Sequence, residues 1–179
     1  MKKKIVALIP SRLESKRLPG KALLDINGYP IVVHTAKRAM LSKMVDEVYV
    51  CTDSKEIINA CKKYDISTIK TKKNFKNGTE RIASIANKFK NYLIVDVQGD
   101  EPFVRPEYIE QVAKFLCNTE YDCVIPHQSS DCYGNVNRVK MVTNGDRVIY
   151  LSRSDVPYYF GALKAPLKKH LSIIGFRLS

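Results

Sequence analysis

Residues 5–9, Ile-Val-Ala-Leu-Ile, form an unbroken apolar run that Pro10 ends. A short run with no polar face reads as a strand buried on both sides, as in a parallel sheet covered by helices. It opens directly into a loop holding Arg12, Lys16, Arg17 and Lys21, with Pro19 and Gly20 as its turn. Ligands of open α/β sheets bind beyond the carboxyl ends of the strands. Four cations at such a place suit a polyphosphate held by side chains and backbone N–H groups. A solvated basic loop is the plainer reading of the same charges. The loop has neither the Walker A spacing nor a Gly-x-Gly-x-x-Gly fingerprint.

The rest of the chain extends the pattern. Strands are expected at Lys4 to Ile9, Glu47 to Cys51, Ser67 to Lys70, Tyr92 to Val97 and Asp122 to Pro126. Helices are expected near residues 30 to 41, after a capping box at Asp53 to Glu56, from about Thr79 to Phe89, and from Pro106 to Leu116. Strands alternating with helices predict an α/β fold with a mainly parallel sheet. After Pro126 the alternation lapses. Val136 to Val142 and Arg147 to Leu151 flank Asn144-Gly145, a hairpin signal, so a small antiparallel extension is expected. Leu171 to Phe176 is the last expected strand, with an exposed edge that would favour dimerisation or poor solubility.

Bulk properties narrow the function classes. The 179 residues suffice for one domain with a substantial core, and no linker divides them. The net charge of +12 favours anionic partners. The lysines are spread along the chain and no RNA-recognition aromatic motif is present, so nucleic-acid binding ranks last. Cys51, Cys61, Cys117, Cys123 and Cys132 form no Cys-x-x-Cys and no ligand cluster, which argues against zinc and fits a reducing cytoplasm. No apolar run approaches the ~18 residues of a membrane helix, and no export signal is expected.

A second constellation is Gln98-Gly-Asp-Glu-Pro102, at the end of the Tyr92 to Val97 strand. Gln98 and Asp100 lie two apart, so on a strand they share a face. A carboxylate there would hold Mg²⁺ against a nucleotide phosphate, since Mg²⁺ takes one or two protein carboxylates plus phosphates and water. Alternatively, Asp100 and Glu101 cap the helix that follows. Arg81 is open to reading as a solvent-facing helix residue, Arg153 as a partner of Asp155, and His170 as structural. His34 and His127 match no motif and read as structural.

The wording of these stretches carries a resemblance. Ser-x-x-x-Ser-x-Arg-Leu-Pro-Gly-Lys, read from Ser11, resembles the signature loop of sugar nucleotidyltransferases. Gln98-Gly-Asp-Glu-Pro102, Asn77-Gly-Thr-Glu-Arg81, Leu24-Asp-Ile-Asn-Gly28, Asn135-Val-Asn-Arg-Val-Lys140 and Leu151-Ser-Arg-Ser-Asp-Val-Pro157 resemble motifs of the 3-deoxy-manno-octulosonate (KDO) cytidylyltransferase family, in that family's order.

The resemblance implies a three-layer nucleotide-binding α/β sandwich of the nucleotide-diphospho-sugar transferase type, with an antiparallel extension used for homodimerisation. It implies transfer of CMP from CTP to the anomeric hydroxyl of an acidic eight-carbon sugar, with pyrophosphate released, in a cytoplasmic enzyme of lipopolysaccharide or capsule biosynthesis. By matched position Arg12, Lys21 and Asp100 would be catalytic. Arg12, Arg17, Lys21, Gly78, Thr79 and Arg81 would bind the nucleotide. Gln98, Arg153 and His170 would meet the sugar, and Asp100 would hold Mg²⁺.

Departures from the family qualify this. Ser11-Arg12 replaces the usual Ala-Arg. His170-Leu-Ser-Ile-Ile-Gly-Phe176 replaces His-x-Gly-Ile-Tyr-Gly-Tyr. The hydroxyl lost at Ile174 leaves room for a related amino- or deoxy-octulosonate. Family members continue past this strand with further helices and a second acidic metal ligand. The expectation is therefore a single nucleotidyltransferase domain, residues 1–179, lacking its carboxyl-terminal part. The alternatives are a weak or inactive nucleotide-binding homologue, or a nucleotidyltransferase for another sugar.

Overall fold

The computed structural model describes residues 3–15, 18–160 and 165–178. Lys16 and Arg17 of the basic loop lie outside the described residues. The chain forms two compact units, one of Met1–Val124 with Ser172–Ser179, the other of Ile125–Leu171.

The first unit is built on a six-stranded sheet in the order β5-β4-β1-β6-β12-β7. Its strands are β1 (Lys4–Pro10), β4 (Glu47–Thr52), β5 (Thr68–Lys70), β6 (Tyr92–Val97), β7 (Cys123–Val124) and β12 (Ile173–Arg177). A two-stranded ribbon, β2 (Asp25–Ile26) with β3 (Tyr29–Pro30), lies between β1 and β4 in sequence. Strands β5, β4, β1 and β6 run parallel, while β12 is antiparallel to both β6 and β7.

Side chains from β1 alternate between two cores. Ile5, Ala7 and Ile9 pack with α1 (Ile31–Met40), α2 (Lys55–Lys62) and α4 (Pro106–Asn118). Val6 and Leu8 pack on the other face with Ile82, Ile85 and Phe89, from α3 (Gly78–Ala83) and the 3₁₀ turn after it. This unit is therefore a three-layer sandwich, and the unbroken apolar runs exist because both sheet faces are covered. The expected long helix from Thr79 is instead α3 followed by a separate 3₁₀ turn, Ala86–Phe89.

Two local expectations change. Ser54, not Asp53, caps α2: its Oγ accepts from the Ile57 N–H at 3.2 Å. The last strand has no exposed edge, because β12 lies between β6 and β7. Gly175 lets α4 close over it: a Cβ there would come within 2.6 Å of Leu116 and 2.7 Å of Val112.

The second unit is a four-stranded antiparallel sheet, β10-β9-β11-β8. Its strands are β8 (His127–Ser130), β9 (Lys140–Asn144), β10 (Arg147–Ser152) and β11 (Leu167–His170). The hairpin at Asn144-Gly145 is present, with Gly145 at φ +56°. Strands β8 and β11 were not expected: Lys168, Lys169 and His170 pair with Ser129, Gln128 and His127, a polar ladder without an apolar signal. No helix among the described residues is long and apolar enough to cross a membrane.

Candidate active site

The basic loop closes on itself. The Gly20 N–H reaches the Leu13 carbonyl at 3.2 Å, and the Lys21 N–H reaches Leu18 at 3.2 Å. Gly20 sits at φ +67°, the left-handed region that glycine adopts without strain. Arg12 is exposed just past β1. Lys21 leaves the loop and donates to Asp100 Oδ2 at 2.7 Å. The loop after β1 and the loop after β6 therefore meet through one cation and one carboxylate.

Strand β6 ends at Val97, so the alternation expected to aim Gln98 and Asp100 together does not extend to them. They sit instead in a turn, with the Glu101 N–H on the Gln98 carbonyl at 3.2 Å. Gly99 lets this turn lie against β1: a Cβ there would come 2.7 Å from the Pro10 carbonyl oxygen. Helix α1 braces the turn through Thr35, which donates to the Gly99 carbonyl at 3.3 Å. Arg38 donates to Val104 at 2.9 Å. The capping alternative for Asp100 and Glu101 fails, because α4 begins at Pro106 behind Arg105. Asp100 remains half-exposed and available to a ligand.

The start of α3 supplies a third wall. Asn77 caps it by accepting from the Glu80 N–H at 2.9 Å. Gly78 lies under Gln98: a Cβ there would come 3.0 Å from Gln98 Oε1. Gln98 Nε2 donates to Asp96 Oδ1 at 2.9 Å, and Thr79 donates to Asp96 Oδ2 at 3.2 Å. Asp96 is fully buried. Burial pushes its carboxyl up to about 7, against the pull of the Thr79 and Gln98 hydrogen bonds.

Arg81 is buried rather than solvent-facing. Its guanidinium pairs with Asp53 at 2.7 Å and donates to Thr71 and to the Lys72 carbonyl, with the Phe75 ring 5.4 Å away. It ties the 71–77 loop to the end of β4.

In the second unit, Arg153 is exposed and donates to the Val136 carbonyl at 3.0 Å. Asp155, its expected partner, pairs with Lys140 at 3.1 Å. His170 is half-buried on β11, and its N–H reaches Val139 at 2.9 Å.

Sequence reasoning passed over Asp96, Asp53 and Lys140. The signal for Asp96 was in view, since one acid inside a buried apolar strand must find hydrogen-bond partners. No group of three or more His, Cys, Asp or Glu side chains among the described residues is placed to hold a metal ion. Mg²⁺ needs less than that, and an accessible carboxylate beside a phosphate-suited cation fits its requirements.

Two loops at the carboxyl ends of parallel strands, one cationic and one acidic, stand where open α/β sheets take their ligands. The family model described as cytidylyltransferase matches residues 6–178, which narrows the class. The chain is 39% identical to 3-deoxy-manno-octulosonate cytidylyltransferase of Neisseria meningitidis serogroup B, over 96% of this chain and 74% of that protein. It is 40% identical to the enzyme of the same name from Polynucleobacter necessarius, over 95% of this chain and 70% of that protein. Among solved structures it resembles a CMP:2-keto-3-deoxy-manno-octonic acid synthetase complexed with CTP. That match has a TM-score of 0.87 and 33% identity, covering 97% of this chain and 74% of the other. The chain belongs to the 3-deoxy-manno-octulosonate cytidylyltransferase family.

Proposed function

We propose that this chain joins CMP from CTP to the anomeric hydroxyl of KDO and releases pyrophosphate, with residues 1–179 acting as one nucleotidyltransferase domain. The observation that carries the site assignment is the 2.7 Å pair of Lys21 and Asp100, which joins the two loops matched to the family.

Arg12, Arg17 and Lys21 hold the triphosphate. Lys21 carries its charge toward the oxygens on which negative charge grows as pyrophosphate leaves. Asp100 holds Mg²⁺, which when bound polarises the α-phosphate and screens its charge. Gly78, Thr79 and Arg81 line the nucleotide pocket, with Arg81 acting by fixing the 71–77 loop. Gln98, in the first unit, meets the sugar. The transfer needs no protein nucleophile, because positioning and electrostatics supply most of the barrier reduction.

We further propose a homodimer. Ile149, Tyr150 and Leu151 are exposed on the edge strand β10, and Tyr158 and Phe160 are more exposed still. Apolar side chains gathered in one small unit suit a partner surface. A cytoplasmic location accords with soluble substrates of this kind.

The test is pyrophosphate release from CTP, Mg²⁺ and KDO, set against UTP and GTP and against Asp100→Ala. Release should require CTP and the sugar together, and should fall roughly 100-fold or more in the variant. Equal release with UTP, or an unaffected variant, would overturn the reading.

A further inference from the structure

The scheme above leaves Asp96 without a role. Its carboxyl group touches two of the side chains assigned to substrate, from two different elements. Gln98 Nε2 lies 2.9 Å from Oδ1, and Thr79 Oγ1 lies 3.2 Å from Oδ2. An ionised carboxylate accepts hydrogen bonds and donates none. It therefore draws the NH₂ end of the Gln98 amide inward and the Thr79 hydroxyl proton with it. What Asp96 leaves unbonded is the Gln98 carbonyl oxygen, which lies beside Gly78.

We propose that Asp96 is a positioning residue that sets the hydrogen-bonding polarity of the sugar site. While ionised, it holds the Gln98 amide with its carbonyl oxygen as the acceptor, so the sugar group that Gln98 meets is a hydroxyl donor. This rests on the reading that Gln98 meets the sugar. A protonated Asp96 has one O–H to donate. It can then bond the Gln98 carbonyl oxygen, so the amide turns and presents NH₂ outward, and the acceptor is lost.

The neighbours of Asp96 within the sheet are apolar. In register with it stand Leu8 of β1 and Ile174 of β12. The Cys51 thiol of β4 acts on the same face, pushed up to about 12 by burial and so neutral. Arg81, already paired with Asp53 at 2.7 Å, and Lys88 act on the Cys51 thiol. Burial holds the Asp96 carboxyl to about 7, so both of its forms are reached between pH 6 and 8.

The experiment compares the whole chain with Asp96→Asn and Asp96→Ala, measuring KM for KDO and for CTP between about pH 6 and 8. Asparagine keeps an acceptor for Gln98 and does not titrate. In the unsubstituted chain KM for KDO should rise about 10-fold as pH falls through the Asp96 midpoint, the worth of one hydrogen bond. Asp96→Asn should flatten that rise, and Asp96→Ala should raise KM for KDO about 10-fold at every pH. An Asp96→Asn profile that still follows the original, or an Asp96→Ala chain with KM for KDO unchanged, would overturn the proposal. Asp96→Asn is close to isosteric and carries the test should Asp96→Ala fail to fold.

A second readout needs no turnover. The side-chain amide NMR signals of Gln98 should titrate with a midpoint near 7 in the unsubstituted chain and stay flat in Asp96→Asn. Signals that do not titrate overturn the Asp96 proposal. Absent pyrophosphate release with titrating signals overturns the KDO reading alone.

Discussion

In the first unit, β1 and β6 bury side chains on both faces. In the second, Lys140, Met141 and Leu167 are the buried side chains among the described residues. The difference extends to the polar groups each interior holds. Lys140, fully buried, donates to the Asn135 carbonyl at 2.7 Å and the Arg153 carbonyl at 2.8 Å, and pairs with Asp155 at 3.1 Å. It ties the loop before β9 to the segment after β10, where Arg153 sits. Asp96 instead lies in a large apolar interior and is met by a hydroxyl and an amide. A unit with a deep apolar core can carry a buried acid whose role is in the site. A unit with little apolar interior takes its shape from a buried ion.

The largest test of this contrast is Leu8→Ala. Leu8 is fully buried in the cluster that holds Ile82 and Ile94, so its truncation should cost about 3–5 kcal/mol. Denaturant unfolding of the whole chain measures it, and a cost below about 1 kcal/mol would mean the sandwich does not rest on this core. Next is Lys140→Ala, expected to cost about 2–4 kcal/mol because it removes a fully buried cation and its bonds to three acceptors. Hydrogen exchange should then show protection lost across 125–171 while β1 and β6 keep theirs. Uniform loss over both units would break the contrast.

The same contrast explains what could be read from the chain alone. Ile5 to Ile9 and Tyr92 to Val97 were legible as strands because a strand covered on both faces must be apolar throughout. Both site loops followed from where such strands end. Strands β8 and β11 were not legible, since His-Gln-Ser-Ser and Leu-Lys-Lys-His carry neither alternation nor an apolar run. Pairing across the sheet determines them, and a linear reading does not see partners as distant in sequence as His127 and His170 or Leu167 and Ser130. The 2.7 Å pair of Lys21 and Asp100 and the buried Arg81 were hidden for the same reason, although each residue was in view.

The smallest effect isolates the buried acid of the first unit. In an unfolded chain an aspartate releases its proton near 3.8, whereas the fold holds it on Asp96 up to about 7. Between those values the folded state binds the extra proton. The stability tied to Asp96 is therefore complete below the unfolded value and is lost as pH rises through about 7. Between about pH 6 and 8 the loss should be on the order of 1 kcal/mol, and Asp96→Asn should remove it. Stability curves for the two chains across that range measure the difference directly. Parallel curves would mean that Asp96 does not titrate within the fold, and its likeness to Lys140 as a charged group held inside would then be closer than the present contrast allows.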